Sequence, residues 1–299
     1  MRTAPLSLLL PSLLSGSLAQ ETGVYPSCAL SCVLEAIPQT PCAATNQTCL
    51  CQDLSFSRLV EPCVGERCTI KESLVTANIT AKNCDFPDAN ESERVKLTSM
   101  TLFFILPTVS IILRMIVKSV KWSAWGADDS TILPAYVILI GFVPVNIFSE
   151  RNGAGNNVWT LSFDQLDQFF LSFYISQALY YVSLALIKAS ILFMFLRIFP
   201  GDRVRLALWG TQAVNLMMCL ACLFAALFQC QPLSLAWKSW SRDRSGRCIN
   251  QPHLALSHGL FNVALDVWML ILPVIQIWRL NMKLRQKLGY ISMFCLGIL

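Results

Sequence analysis

Eight cysteines crowd into the stretch from Cys28 to Cys84, spaced C-x3-C-x9-C-x6-C-x-C-x11-C-x4-C-x15-C at Cys28, Cys32, Cys42, Cys49, Cys51, Cys63, Cys68 and Cys84. So many thiols in so short a segment mean either a disulfide framework or a metal cluster. Zinc sites are built from CxxC pairs with further Cys or His ligands, and this stretch holds no CxxC and no histidine. The even count therefore predicts four disulfides and an oxidising, extracellular address. Eight cysteines allow 105 pairings, and spacing does not choose among them.

The residues ahead of this segment agree with that address. Arg2 precedes the apolar run Leu6 to Leu14, which is too short to cross a bilayer, and Ser17-Leu18-Ala19 has the small residues of a signal-peptidase site. Residues 1–19 read as a signal peptide, with the mature chain starting near Gln20. Three N-glycosylation sequons, headed by Asn46, Asn78 and Asn90, all fall before residue 95.

Beyond residue 95 the composition changes. The whole chain is 55% hydrophobic and only 14% charged, with a mean hydropathy of +0.54, values that exclude an ordinary soluble protein. Residues 20–94 hold ten acids against five bases, and residues 95–299 hold eight against seventeen. The net charge of +5 thus belongs to a basic, apolar body behind an acidic domain, and gives no reason to expect nucleic acid as a partner. Five apolar segments, at 97–118, 130–149, 169–197, 206–229 and 255–278, reach the roughly 20 residues that a helical span requires. A sixth, from Leu288 to Leu299, is too short to span and reads as the start of a helix in a longer protein. Residues 85–95 read as a juxtamembrane linker, and 96–299 as a transmembrane bundle with the lipid bilayer as its partner.

Charge orients the bundle. With the N-terminus outside, Arg114, Lys118, Lys121, Arg197, Arg203, Arg205, Arg279, Lys283, Arg285 and Lys287 fall inside. Arg151, Lys238, Arg242, Arg244 and Arg247 fall outside, so the positive-inside rule gives the same topology as the signal peptide. Cys230 and Cys248 flank one outer loop and can pair there. Cys219, Cys222 and Cys295 lie in apolar helices and read as small buried side chains.

Ionisable residues inside a span are costly. Lys188 and Asp266 stand out, about nine and thirteen residues from Arg197 and Arg279, or roughly 6 Å apart in depth at 1.5 Å per residue. An interhelical ion pair, with Asn262 as a further polar partner, is one reading. A snorkelling lysine and a protonated aspartate is the other. His253 and His258 make neither a metal site nor a catalytic triad, and no phosphate loop is present. The chain is expected not to be an enzyme.

About 75 residues bury little apolar surface, so cross-links are what stability in the first domain requires. Ala29–Ala36, Asp53–Val60 and Thr69–Ala77 read as its short helices. The cysteine spacing, with Pro26 ahead of it and Thr48-Cys49-Leu50-Cys51 in its middle, resembles the CFEM domain of fungal membrane proteins. Downstream, Trp125-Gly126-Ala127-Asp128-Asp129, Leu186-Ile187-Lys188-Ala189-Ser190-Ile191-Leu192 and Arg197-Ile198-Phe199-Pro200 are similar to motifs of the fungal rhodopsin-like integral membrane family. So are Phe228-Gln229-Cys230-Gln231-Pro232, Asp266-Val267 and Leu272-Pro273. The fold class expected is all-α: a small disulfide-rich helical ectodomain over residues 20–84, then five full spans and part of a sixth in a family that has seven.

The resemblance also implies functions. Some CFEM domains hold ferric haem through an aspartate between the third and fourth cysteines, because hard Fe(III) favours an anionic oxygen. Asn46 stands at that position here, a neutral amide at the head of a sequon, so no cofactor is expected. Asp53 is the nearest spare carboxylate, two residues past Cys51. Microbial rhodopsins carry retinal on a lysine of the seventh helix, and Lys188 is on the third. The family is linked to surface sensing, which implies a plasma-membrane protein that reads an unknown extracellular ligand and passes the signal to a cytoplasmic protein. Haem or iron capture, and a transporter or accessory role in a secondary-metabolite gene cluster, are the other classes.

Overall fold

The computed structural model describes residues 24–86, 104–122 and 124–279. The signal peptide, the sequon at Asn90, Cys295, the segment 288–299 and all but the first two linker residues lie outside them. The described chain is all-α apart from one two-stranded ribbon. It divides into two compact units: residues 1–93, 150–170 and 237–245 form the first, and 94–149, 171–236 and 246–299 the second.

The first unit carries the cysteines. Helix α1 (Ser27–Ala36) is followed by α2 (Gln47–Gln52), α3 (Leu54–Arg67) and α4 (Ile70–Asn83). Cys28–Cys68 and Cys32–Cys63 fasten α1 along α3, Cys42–Cys49 closes the loop before α2, and Cys51–Cys84 ties α2 to the end of α4. Cross-links occupy the place of a hydrophobic centre. Ala29, Cys32 and Val64 are the buried core residues between α1 and α3, packed on by Tyr25, Val60, Cys63 and Cys68. Local chemistry sets the helix starts. Asn46 and Asp53 cap α2 and α3, and Thr69 and Glu72 form a reciprocal capping box at α4. Helix α3 runs past the expected Val60 to Arg67, where Arg67 pairs with Glu35 of α1 at 2.7 Å. That guanidinium, by hydrogen bond and charge, holds the Glu35 carboxyl below its ordinary value.

The same unit contains the turn Val158–Thr160 and the 3-10 turn Ser239–Ser241, against both of which α4 packs. Gly153, at φ +93°, shapes the first of these loops: a Cβ there would stand 2.0 Å from Cδ2 of Leu161.

The second unit is the apolar bundle. Its helices are α5 (Leu106–Ser119), α6 (Ala127–Arg151), α7 (Phe163–Ile198), α8 (Asp202–Leu227) and α9 (Gln251–Arg279). Among the described residues four helices, α6 to α9, are long and apolar enough to cross a membrane. The expected first span, 97–118, lies partly outside the described residues, which hold the 14 residues of α5 from it. Side chains such as Met217, Phe224, Leu260 and Val263 are exposed on the helix surfaces, as suits hydrocarbon rather than water. Helix α7 is the most buried of the four. Leu192 and Phe195 on it meet Leu208 of α8 and Met269 of α9 in the main core cluster. Between α8 and α9, strands β1 (Cys230–Gln231) and β2 (Arg247–Cys248) pair antiparallel, with Cys230 opposite Cys248 and disulfide-bonded to it.

Closed-loop length sets how much each cross-link restricts the unfolded chain. Replacing both cysteines of Cys28–Cys68, 40 residues apart, should cost about 4 kcal/mol, and of Cys42–Cys49, 7 apart, about 2.5 kcal/mol. Protease resistance of the two double-serine variants under a denaturant series measures the difference, and the order should be Cys42–Cys49 variant above Cys28–Cys68 variant.

Candidate functional site

Charges buried in the bundle fall into two groups. One forms where α6 begins. Asp128 and Asp129, 4% and 0% exposed, sit in the first turn of α6, where the helix dipole favours negative charge. Asp129 accepts from Arg114 Nε at 2.7 Å, from Lys118 Nζ at 2.7 Å and from the Gly126 backbone N–H at 2.9 Å. Asp128 pairs with Arg114 and lies 3.7 Å from Arg197 Nη1, while its carbonyl accepts from Ser190 Oγ at 2.8 Å. Lys118 and Arg197 also donate to the Ala124 carbonyl, at 2.7 and 3.0 Å. Two carboxylates and three bases thus join α5, α6 and α7. Gly126 fits because a Cβ there would stand 2.3 Å from Asp128 Oδ1 and 3.0 Å from Arg197 Nη1.

The second group is deeper in the bundle. Lys188 of α7, 5% exposed, places Nζ 2.7 Å from Asp266 Oδ1 of α9 and 3.1 Å from the Asn262 backbone carbonyl. The ammonium is therefore held inside the bundle rather than snorkelling. Asn262 takes part through its backbone oxygen. The carbonyl one turn before Asp266 in the helix is the acceptor nearest the pair. Around it, Asn215 Nδ2 donates to the Ala185 carbonyl at 2.9 Å, Trp268 Nε1 to Thr211 Oγ1 at 2.9 Å, and His258 packs edge-on to Tyr181 at 4.6 Å.

A third cluster belongs to the first unit. Lys71 of α4 forms an ion pair with Asp243, and its ammonium stands 5.7 Å from the Phe163 ring centroid. Asp167 accepts from Trp240 Nε1 at 2.7 Å and lies 3.7 Å from Lys238, and Phe163 and Trp240 pack at 5.9 Å. These residues line a polar cleft of about 150 Å³.

The remaining candidates fall as follows. Asn46 is exposed, and its Oδ1 accepts from the Cys49 N–H at 3.1 Å as the α2 cap, which leaves Nδ2, the atom that carries a glycan, turned away from the cap. Asn78 is 9% exposed in the middle of α4. Cys219 and Cys222 lie within α8, intermediate and buried. Haem, which the family resemblance implies for some domains of this kind, does not fit Asn46. The neutral Asn46 oxygen is engaged by a backbone N–H. Asp53 spends Oδ1 on the Ser55 N–H at 2.9 Å, and its Oδ2 has no hydrogen-bond partner among the described residues.

Asp128, Asp129 and their bases were not singled out as a site from the sequence, although an Asp-Asp pair opening an apolar span, with Arg114 and Lys118 one turn apart ahead of it, was there to be read. Lys71 and Asp243 carry no comparable signal.

The architecture is that of a membrane-embedded helix bundle joined to a disulfide-bonded helical domain. The fungal rhodopsin domain model matches residues 113–299 and the CFEM domain model residues 21–85, so the chain belongs to the fungal rhodopsin domain family and carries a CFEM domain. It is 32% identical over 181 residues to a SAT4 family membrane protein of Emericella nidulans, a match covering 58% of this chain and 46% of that one. It is 22% identical over 203 residues to the polyenoic acids biosynthesis gene cluster protein Ba17b of Metarhizium anisopliae, covering 66% and 55%. The chain spans about half the length of these curated relatives. No solved structure matches.

Removing Asp129 leaves Arg114 and Lys118 without their shared carboxylate, so Asp129→Ala should cost about 3–5 kcal/mol. Lys188→Met or Asp266→Leu alone should each destabilise more than the double variant, which removes both charges together. Thermal unfolding in detergent, read by size-exclusion monodispersity, orders these variants. Haemin added to the full chain should give no saturable Soret shift.

Proposed function

We infer that the chain is a receptor-like protein of the fungal plasma membrane, with its CFEM domain outside the cell reading an extracellular cue. The observation that carries this reading is the placement of the Lys71 cluster. A disulfide-locked helix, α4, is tied by charge and aromatic contact to the two loops that follow α6 and precede α9. A cue that engages the cysteine domain therefore acts on groups covalently continuous with the membrane helices. Five disulfides, one of them in the α8–α9 connection, support an oxidising compartment for this side. The basic groups Arg114, Lys118 and Arg197 support a cytoplasmic address for the ends that bear them. The protein is read as non-enzymatic, with a cytoplasmic signalling protein as its inner partner.

A second reading has its own support. The similarity to a polyenoic acids biosynthesis gene cluster protein favours an accessory or transport role in a secondary-metabolite cluster.

Two measurements separate these. An epitope at the mature N-terminus should bind antibody on intact cells; binding only after permeabilisation would count against the topology. In fungal cells exposed to host-surface extract, the wild-type chain should raise intracellular calcium or cAMP. Lys71→Glu should blunt that response and Lys71→Glu with Asp243→Lys should restore it. Solute flux into vesicles with no such response would favour transport.

A further inference from the structure

Helices α7, α8 and α9 enclose a cleft of about 250 Å³ beside the Lys188–Asp266 pair, just below the range for ligand pockets of roughly 300–1,000 Å³. We propose that this cleft binds a single-chain lipophilic molecule ending in a neutral carbonyl group, whose oxygen accepts the third N–H of Lys188. The proposal holds whether the bundle signals or transports, and so stands apart from the receptor reading.

Four observations define the ligand class. Lys188 lines the cleft, is 5% exposed, and spends two of its three N–H donors on Asp266 and on the Asn262 carbonyl. The third has no acceptor among the described residues, and a donor left unmatched in such surroundings seeks one. Asp266 is not among the lining residues, so a ligand meets the ammonium and not the carboxylate. Val214, Phe261 and Trp268, also part of the lining, are 53%, 59% and 45% exposed among the described residues, so the mouth is apolar and opens to the side of the bundle.

Alternatives fail on the same chemistry. A plain alkane leaves the N–H unmatched. A cation meets an ammonium. A carboxylate gains little, because Asp266 already compensates the lysine charge and stripping water from a second anion is costly. Depth separates a free ligand from bilayer phospholipid. Lys188 lies nine residues from Arg197 along α7, about 13 Å at 1.5 Å per residue, beneath the interface where phospholipid ester groups reside.

The test is photolabelling of the full chain in phosphatidylcholine vesicles. The probes are a long-chain methyl ester with a mid-chain diazirine, the matching diazirine alkane, and a phosphatidylcholine with the diazirine in its acyl chain. The ester should label peptides carrying Val214 and Phe261 saturably and at least about tenfold more efficiently than the alkane, the equivalent of one hydrogen bond from a charged donor. Unlabelled long-chain methyl ketone should compete, and a long-chain quaternary amine should not. Ala264→Trp fills the cleft while leaving both Lys188 and Asp266 in the chain, and should abolish the labelling. Lys188→Met with Asp266→Leu should reduce the ester to the level of the alkane. Equal labelling by ester and alkane, equal competition by the phospholipid, or undiminished labelling in a monodisperse Ala264→Trp protein would overturn the proposal. If the double variant does not fold, the ester-to-alkane ratio on the wild-type chain decides.

Discussion

A charge buried in a helix bundle must be matched where it stands, because little solvent can follow it there. The bundle obeys this at two depths. At the start of α6, Asp129 is enclosed by two bases and a backbone N–H, and Asp128 links the same arginine to α7. Deeper, Lys188 and Asp266 tie α7 to α9. Helix α7 takes part in both groups and in the main apolar core, so the helix that is most buried is also the one to which the others are registered. Ridge packing of Leu and Phe alone tolerates sliding by a turn. An ion pair in low dielectric does not, since a one-turn slip would strand two charges.

The cysteine domain meets the opposite problem. It has too few residues to bury a core, so covalent bonds replace apolar area. The two cystines between α1 and α3 serve as core side chains and as cross-links at once. Helix caps complete the scheme: Asn46, Asp53 and the Thr69–Glu72 box fix where three short helices begin, and the cystines fix where they lie.

Much of this was legible in the residues. Apolar length gave the spans α6 to α9, and the cysteine count gave the domain. The depth of Lys188 and Asp266 matched two residues 78 positions apart. What stayed hidden is tertiary. Pairing among eight cysteines has no local signature. Helix α2 is six residues held by a cap and two cystines, with no periodicity to announce it. Asn78 heads a sequon that reads as surface, yet α4 turns it inward, because a sequon records three neighbours and burial depends on what α4 packs against. Asp128 and Asp129 stand at the edge of an apolar run, where charge ordinarily means a solvated loop. Only the fold brings Arg114, Lys118 and Arg197 around them.

The Asn46 cap carries a practical consequence. Its Oδ1 holds the start of α2, a task an aspartate oxygen performs equally well, so the backbone is indifferent to which of the two residues stands there. Asparagine and aspartate codons differ by one base, and an amidase that strips an N-glycan leaves aspartate behind. Enzymatic deglycosylation of a sample glycosylated at this position would rewrite the residue as an aspartate without any mutation. A sample treated in that way would no longer represent the native chain in any assay for haem.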